Sequence, residues 1–199
     1  MKKSLNLLFV IILVSFTITA NAKPKWISLF NGKDLTGWFI HGKATWSVQD
    51  GILVGEGGMG HIYTDATCTD FEAKGEFRIS GTNSNSGFYF RANVPADNPD
   101  AFPRGYEAQI CNNQDAYTGW LWKPGKPTGK PTTPLMTKDG EWFTYRIKAV
   151  GTHFQFWIND KLVMTYDDKE FTSGHFAIQG HNPGMKIEAK NLYYRNLTK

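Results

Sequence analysis

Nearly every apolar run in this chain alternates with polar residues and stops at Gly, Asn or Asp, and helical periodicity is almost absent. Short runs rich in Phe, Tyr, Trp, Val and Ile with a period of two are half-buried strands separated by turns. Residues 46–49 and 52–54 flank Asp50-Gly51, and residues 154–158 and 162–166 flank Asn159-Asp160. Each dipeptide supplies the positive backbone angles of a two-residue hairpin loop. Further strands are expected over residues 72–79, 87–92, 106–111, 142–150, 175–179 and 186–195. Eight or more antiparallel strands without crossover helices predict an all-β, two-sheet antiparallel jelly-roll sandwich. Residues 93–105, with three prolines, and 123–140, with four, cannot pair as central strands and are expected to be surface loops.

The first residues have a different character. Met1-Lys2-Lys3, the apolar run 7–14 and the small tripeptide Ala20-Asn21-Ala22 form the pattern of a secretory signal peptide cleaved after Ala22. The apolar run is too short for a membrane span of about 20 residues, and no cysteine near the cleavage site offers a lipid anchor. A secreted, periplasmic product without a membrane anchor is therefore expected, with one domain over residues 23–199. Losing Lys2 and Lys3 takes the 22 basic side chains to 20 against 18 acidic ones, a balance too even for nucleic-acid binding. Cys68 and Cys111 would close a loop of roughly 43 residues if bridged, worth about 4 kcal/mol. A domain of this length can also bury its own core without a staple, so the pattern leaves the bridge open.

Strand alternation points to the candidate site. Over residues 105–110, Tyr106, Ala108 and Ile110 share one face while Glu107 and Gln109 share the other. Over residues 87–91, the phenylalanines face the core and Tyr89 and Arg91 face away. If these strands are neighbours, Tyr, Arg, Glu and Gln stand together, an aromatic plate with planar polar groups suited to sugar hydroxyls. Trp120 and Trp122 follow closely and join the candidate binding set. His181, at a strand end before Asn182-Pro183-Gly184, is a candidate general base or metal ligand. A serine-nucleophile elbow, a phosphate-cradling loop and a zinc-binding helix are all missing from the sequence. Nor does it yield the carboxylate pair, about 5 to 10 Å apart, of an ordinary glycosidase. Only Glu107 is well placed.

The ordered set of residues 30–38 (FNGKDLTGW), 46–53 (WSVQDGIL), 85–91 (NSGFYFR), 105–110 (GYEAQI) and 187–192 (IEAKNL) resembles the 3-keto-disaccharide hydrolase family, formerly a domain of unknown function. The resemblance runs through the whole mature chain. It implies a concanavalin A-like jelly roll and a role in sugar catabolism, in which a sugar 3-oxidoreductase first oxidises the 3-hydroxyl and this protein then cleaves the glycosidic bond. A 3-ketone acidifies the hydrogen on carbon 2, so one base can start an elimination that expels the group on carbon 1, and a carboxylate pair is not required. By the same resemblance Glu107 or His181 is the base, Arg91 and Gln109 hold the substrate and the developing enolate oxygen, and Gln179 belongs to the Gln-x-His segment. Lys190 stands where the family carries arginine and is counted among the substrate-binding residues. A divalent ion held by Glu107 and His181 is compatible with the resemblance. The rival functions are a non-catalytic, lectin-like carbohydrate-binding module and, less favoured by the single carboxylate, a conventional glucan hydrolase.

Overall fold

The computed structural model describes residues 24–96, 98 and 101–198; the signal-peptide segment lies outside the described residues. Fifteen strands account for the regular structure: β1 (Ile27–Ser28), β2 (Trp38–Gly42), β3 (Thr45–Gln49), β4 (Ile52–Glu56), β5 (Gly60–Cys68), β6 (Phe71–Gly81), β7 (Asn85–Asn93), β8 (Arg104–Cys111), β9 (Leu121–Lys123), β10 (Lys126–Gly129), β11 (Phe143–Val150), β12 (His153–Ile158), β13 (Lys161–Asp167), β14 (Gly174–Gly180) and β15 (Met185–Asn196). They form two antiparallel sheets. The first runs β13-β12-β11-β6-β15-β4-β3, with β1 added to β15, and the second runs β10-β9-β8-β7-β14-β5-β2. This is the expected all-β sandwich.

Both hairpin turns have the anticipated geometry. Asp50 and Gly51 take φ of 51° and 79°, Asn159 and Asp160 take 47° and 62°, and each pair joins neighbouring antiparallel strands, the second with a bulge between Phe156 and Trp157. The alternation also sorts the faces correctly. Phe88, Phe90, Tyr106, Ala108 and Ile110 point between the sheets, where they meet Phe71, Phe77, Phe154, Phe156 and Phe176. Fully burying each such ring is worth about 2 to 3 kcal/mol, so register is strongly specified across the central strands. Among the described residues no helix is long and apolar enough to cross a membrane.

One expectation changes, and the open question of the disulfide is answered. Residues 126–129 pair with β9 as the outermost strand of the second sheet, so the proline-rich stretch is not loop throughout. Pro127 is tolerated there because an edge strand has a side that needs no donor. Cys68 and Cys111 are free thiols. Cys111 is opposite Asn85 at one end of β7, while Cys68 lies beside Gly174 near Ala92 at the other. Seven residues of strand separate these levels, roughly 20 Å, well beyond disulfide reach.

Candidate active site

The outer face of the second sheet carries two cross-strand rows. In the first, Trp122 of β9 pairs with Glu107 of β8, Glu107 with Tyr89 of β7, Tyr89 with Ala177 of β14, Ala177 with Tyr63 of β5, and Tyr63 with Phe39 of β2. In the second, Gln109 pairs with Gly87, and Gln179 with His61, which pairs with His41. The Glu107 end of these rows opens into a small cavity at the sheet surface. Asn85, Tyr89, Glu107, Gln109 and Gln179 form its floor. Phe102, Trp122, Lys123, Pro124, Gly125 and His181 wall it.

Glu107 is the group on which this arrangement centres. Its carboxyl lies across the backbone of Gly87, so that a Cβ on that glycine would fall 2.2 Å from Oε1 and 2.5 Å from Cγ. Gly87 therefore exists to let the carboxyl down onto the sheet. Glu107 is buried, and burial pushes its carboxyl up to about 8, against the opposing pull of the neighbouring Tyr89 hydroxyl. Tyr89 in turn accepts from Gln179 Nε2 at 3.0 Å, and Gln179 Nε2 lies 3.4 Å from His61 Nε2. Burial also pulls His181 below its usual range, and its Nδ1 is buried and unpartnered.

The cavity lining holds an unusual number of unanswered polar atoms. Asn85 Oδ1, Gln109 Oε1, Gln179 Oε1, Trp122 Nε1 and His181 Nδ1 are all buried without a hydrogen-bond partner in the protein. Buried polar groups are normally paired, because each unpaired one costs about 1 to 3 kcal/mol. Three amide oxygens, an indole N–H and an imidazole converging on one cavity are the lining a polyhydroxylated ligand would complete.

Of the residues singled out from the sequence, Tyr89, Glu107, Gln109, Trp122, Gln179 and His181 meet at this cavity. Three do not. Arg91 sits in a bulge between Phe90 and Asn93 and takes a φ of 50°, which breaks the alternation and turns its side chain away from Tyr89. There Nε and Nη2 donate to the Thr69 carbonyl at 2.9 and 2.7 Å, Nη1 donates to the Phe171 carbonyl at 3.2 Å, and the guanidinium lies over Phe154. It ties loops together and lies outside the cavity lining. Lys190 belongs to β15 in the other sheet, where it pairs with Glu76 and covers Trp142. Trp120 precedes β9 and packs with Tyr117 and Lys130 outside the cavity lining. Sequence reasoning missed Gly87, Asn85 and Phe102. An isolated glycine inside an aromatic strand was the available signal for the first.

As metal ligands Glu107 and His181 offer two donors, and among the described residues no group of three or more His, Cys, Asp or Glu is placed to hold an ion.

A family model described as the 3-keto-alpha-glucoside-1,2-lyase-like domain matches residues 25–198. The chain belongs to that family. No curated protein matches the chain significantly. Among solved structures, two proteins of Parabacteroides distasonis ATCC 8503, provisionally assigned as glycosyl hydrolases, are similar to it. One is 22% identical with a TM-score of 0.70, covering 87% of this chain and 94% of its own. The other is 25% identical with a TM-score of 0.69, covering 87% and 100%. The carbohydrate-binding module CBM66 of Bacillus subtilis shares the fold at 18% identity and a TM-score of 0.65, covering 84% and 99%. Membership gives the chain a carbohydrate-related function. The fold by itself hosts both cleavage and binding.

Proposed function

We propose that the protein is a secreted, periplasmic enzyme that cleaves 3-keto-glycosides at the anomeric bond, with Glu107 as the base. The observation that carries this reading is a lone buried carboxyl, pushed up to about 8, on the floor of a cavity whose described lining contains no second carboxylate. A single proton acceptor tuned near neutral pH suits abstraction of an acidified C–H bond and does not suit two-carboxylate hydrolysis.

In the proposed reaction the C2 proton of the keto-sugar passes to Glu107, and the electron pair forms the C2–C3 enolate. Trp122 Nε1, a buried donor without a partner, is available to the developing oxyanion. Collapse of the enolate breaks the C1–O bond, and the departing oxygen takes the proton that Glu107 has just received, or one from water with Glu107 giving its proton to the hydroxide left behind. Water added back at C1 would complete a net hydrolysis. A sugar 3-oxidoreductase is the class of reaction that must supply the ketone.

The lectin-like reading is kept alive by the shared fold of the carbohydrate-binding module. A chromogenic 3-keto-glucoside, the unoxidised glucoside and a Glu107→Gln variant separate the two. The expected result is release from the keto substrate alone, rising with pH toward 8 and lost in the variant. Binding of both sugars with release from neither would establish a binding module instead.

A further inference from the structure

One wall of the cavity over Glu107 is built from the edge of the sheet, where a wall is hardest to hold. β9 and β10 form a short hairpin turning at Pro124-Gly125, and β9 meets β8 through the register pairs Trp122 with Glu107 and Leu121 with Ala108. A two-stranded hairpin is marginal on its own. The base of this one is fixed, because the Gln109 amide donates to the Trp120 carbonyl at 2.9 Å and the Thr132 amide donates to the Val163 carbonyl at 2.7 Å. The tip is exposed, and a Cβ on Gly125 would meet nothing within 4 Å. Yet Trp122, Lys123, Pro124 and Gly125 all line the cavity.

Lys123 ties the tip down. Its Nζ donates to Asp168 Oδ2 and to Glu170 Oε2 at 2.7 Å each, and its side chain is 13% exposed. Among the described residues, no other side chain of residues 122–127 bonds to a second element, and the Trp122 Nε1 is unpartnered. Asp168 is a fixed post. Its Oδ1 accepts from the Tyr106 hydroxyl at 2.6 Å and from the Glu170 amide at 2.8 Å, while the Tyr106 oxygen accepts from the Phe171 amide at 3.1 Å. Tyr106 is fully buried against Phe90, Phe154 and Phe171, with ring centroids 5.2, 4.7 and 5.3 Å away. The core thus holds one oxygen of the carboxylate and Lys123 holds the other. Charge-assisted bonds between half-hidden groups are stronger than the exposed ion pairs that water and salt dissolve. Glu170, 53% exposed, contributes the weaker share.

We propose that Lys123 is a positioning residue for this site: its bonds to Asp168 and Glu170 latch the β9–β10 hairpin to the core and hold Trp122 beside Glu107 as a fixed wall of the cavity. The oxyanion role of Trp122 rests on the function proposed above, but the latch is a property of the resting protein.

The test reads Trp122 directly, by ¹⁹F spectra of substrate-free protein labelled with 5-fluorotryptophan, its line assigned with Trp122→Phe. In Lys123→Met the hairpin is released, and the Trp122 line should move toward the position of the free amino acid. Asp168→Asn, which keeps an acceptor for Tyr106 but loses the charge, should move it likewise, and the double variant should move it no further than Lys123→Met. Lys123→Arg should keep the wild-type line. Glu170→Gln, at an exposed position, should give a smaller shift in the same direction and keeps the test open if the other variants do not fold. Raising salt from about 0.05 to about 1 M should move the wild-type line part of the way and leave that of Lys123→Met in place. With the chromogenic 3-keto-glucoside, Lys123→Met should lose about tenfold in kcat with KM little changed, the factor expected for about one charged hydrogen bond felt in the transition state. A Trp122 line at its wild-type position in both Lys123→Met and Glu170→Gln would overturn the latch. A line that moves as expected, in a protein that releases nothing from the keto substrate, would leave the latch standing and sink the proposed reaction alone.

Discussion

Replacing Glu107 by glutamine should make the protein more stable, and increasingly so as pH rises. The unfolded carboxyl titrates near 4.5, while burial holds the folded one up to about 8. Between these values the unfolded chain has released a proton that the folded protein keeps, so stability falls with rising pH, by about 1.4 kcal/mol per pH unit. Over the whole window the loss approaches about 5 kcal/mol, comparable to the entire stability of a weak domain. His61 works in the opposite sense. Its folded imidazole is held down to about 3 against 6.5 unfolded, so between those values the unfolded state binds the extra proton and stability rises with pH. The two terms offset one another from about pH 4.5 to 6.5, and above that the Glu107 loss stands alone. Urea unfolding followed by tryptophan fluorescence, run from pH 4.5 to 9 on both proteins, isolates it. The Glu107→Gln advantage should be near zero at the acid end and should level off above pH 8 at several kcal/mol. An advantage that stays constant across this range would refute the reasoning, because the carboxyl would then titrate alike in both states.

Gly87→Ala should abolish turnover while leaving a folded protein, since the added methyl occupies the Glu107 carboxyl position but the glycine's φ is one that alanine tolerates. Steady-state kinetics beside a urea melt would show it, with a stability cost of about 1 to 3 kcal/mol for the overpacking. Wild-type turnover in this variant would mean that the carboxyl can act from elsewhere. Arg91 and Lys190 should separate in the same assays: Arg91→Met is expected to lose about 3 kcal/mol or more by orphaning the carbonyls of Thr69 and Phe171, whereas Lys190→Ala should leave turnover within twofold. A selective rise in KM for either would restore it to the substrate site.

Much of this architecture is legible before any coordinates. Asp50-Gly51 and Asn159-Asp160 announce their hairpins because few other dipeptides tolerate two positive φ angles in succession. Alternation puts Glu107 and Gln109 on the face opposite Tyr106 and Ile110, and the strict period of two makes that assignment robust as long as the strand is regular. Arg91 shows where it stops. One residue past the regular stretch of β7, a bulge with a left-handed arginine reverses the face, and nothing in Phe90-Arg91-Ala92 signals it. Lys190 was placed by likeness to a motif, and the motif is satisfied on a sheet that does not carry the cavity. Gly87 escaped because its importance lies in what crosses from the neighbouring strand, which is set by sheet order and not by local pattern.

The two separated thiols have a practical consequence. Cys68, whose thiol burial pushes up to about 12, and Cys111, raised in the same direction, offer almost no thiolate at neutral pH. Neither can form the other's partner without unfolding the second sheet. Maturation therefore needs no oxidant and no disulfide isomerase, and the same native state should be reached in a reducing cytosol as in an oxidising compartment. Purification under dithiothreitol costs this fold nothing, so recombinant material made without export is a faithful starting point for every measurement described above.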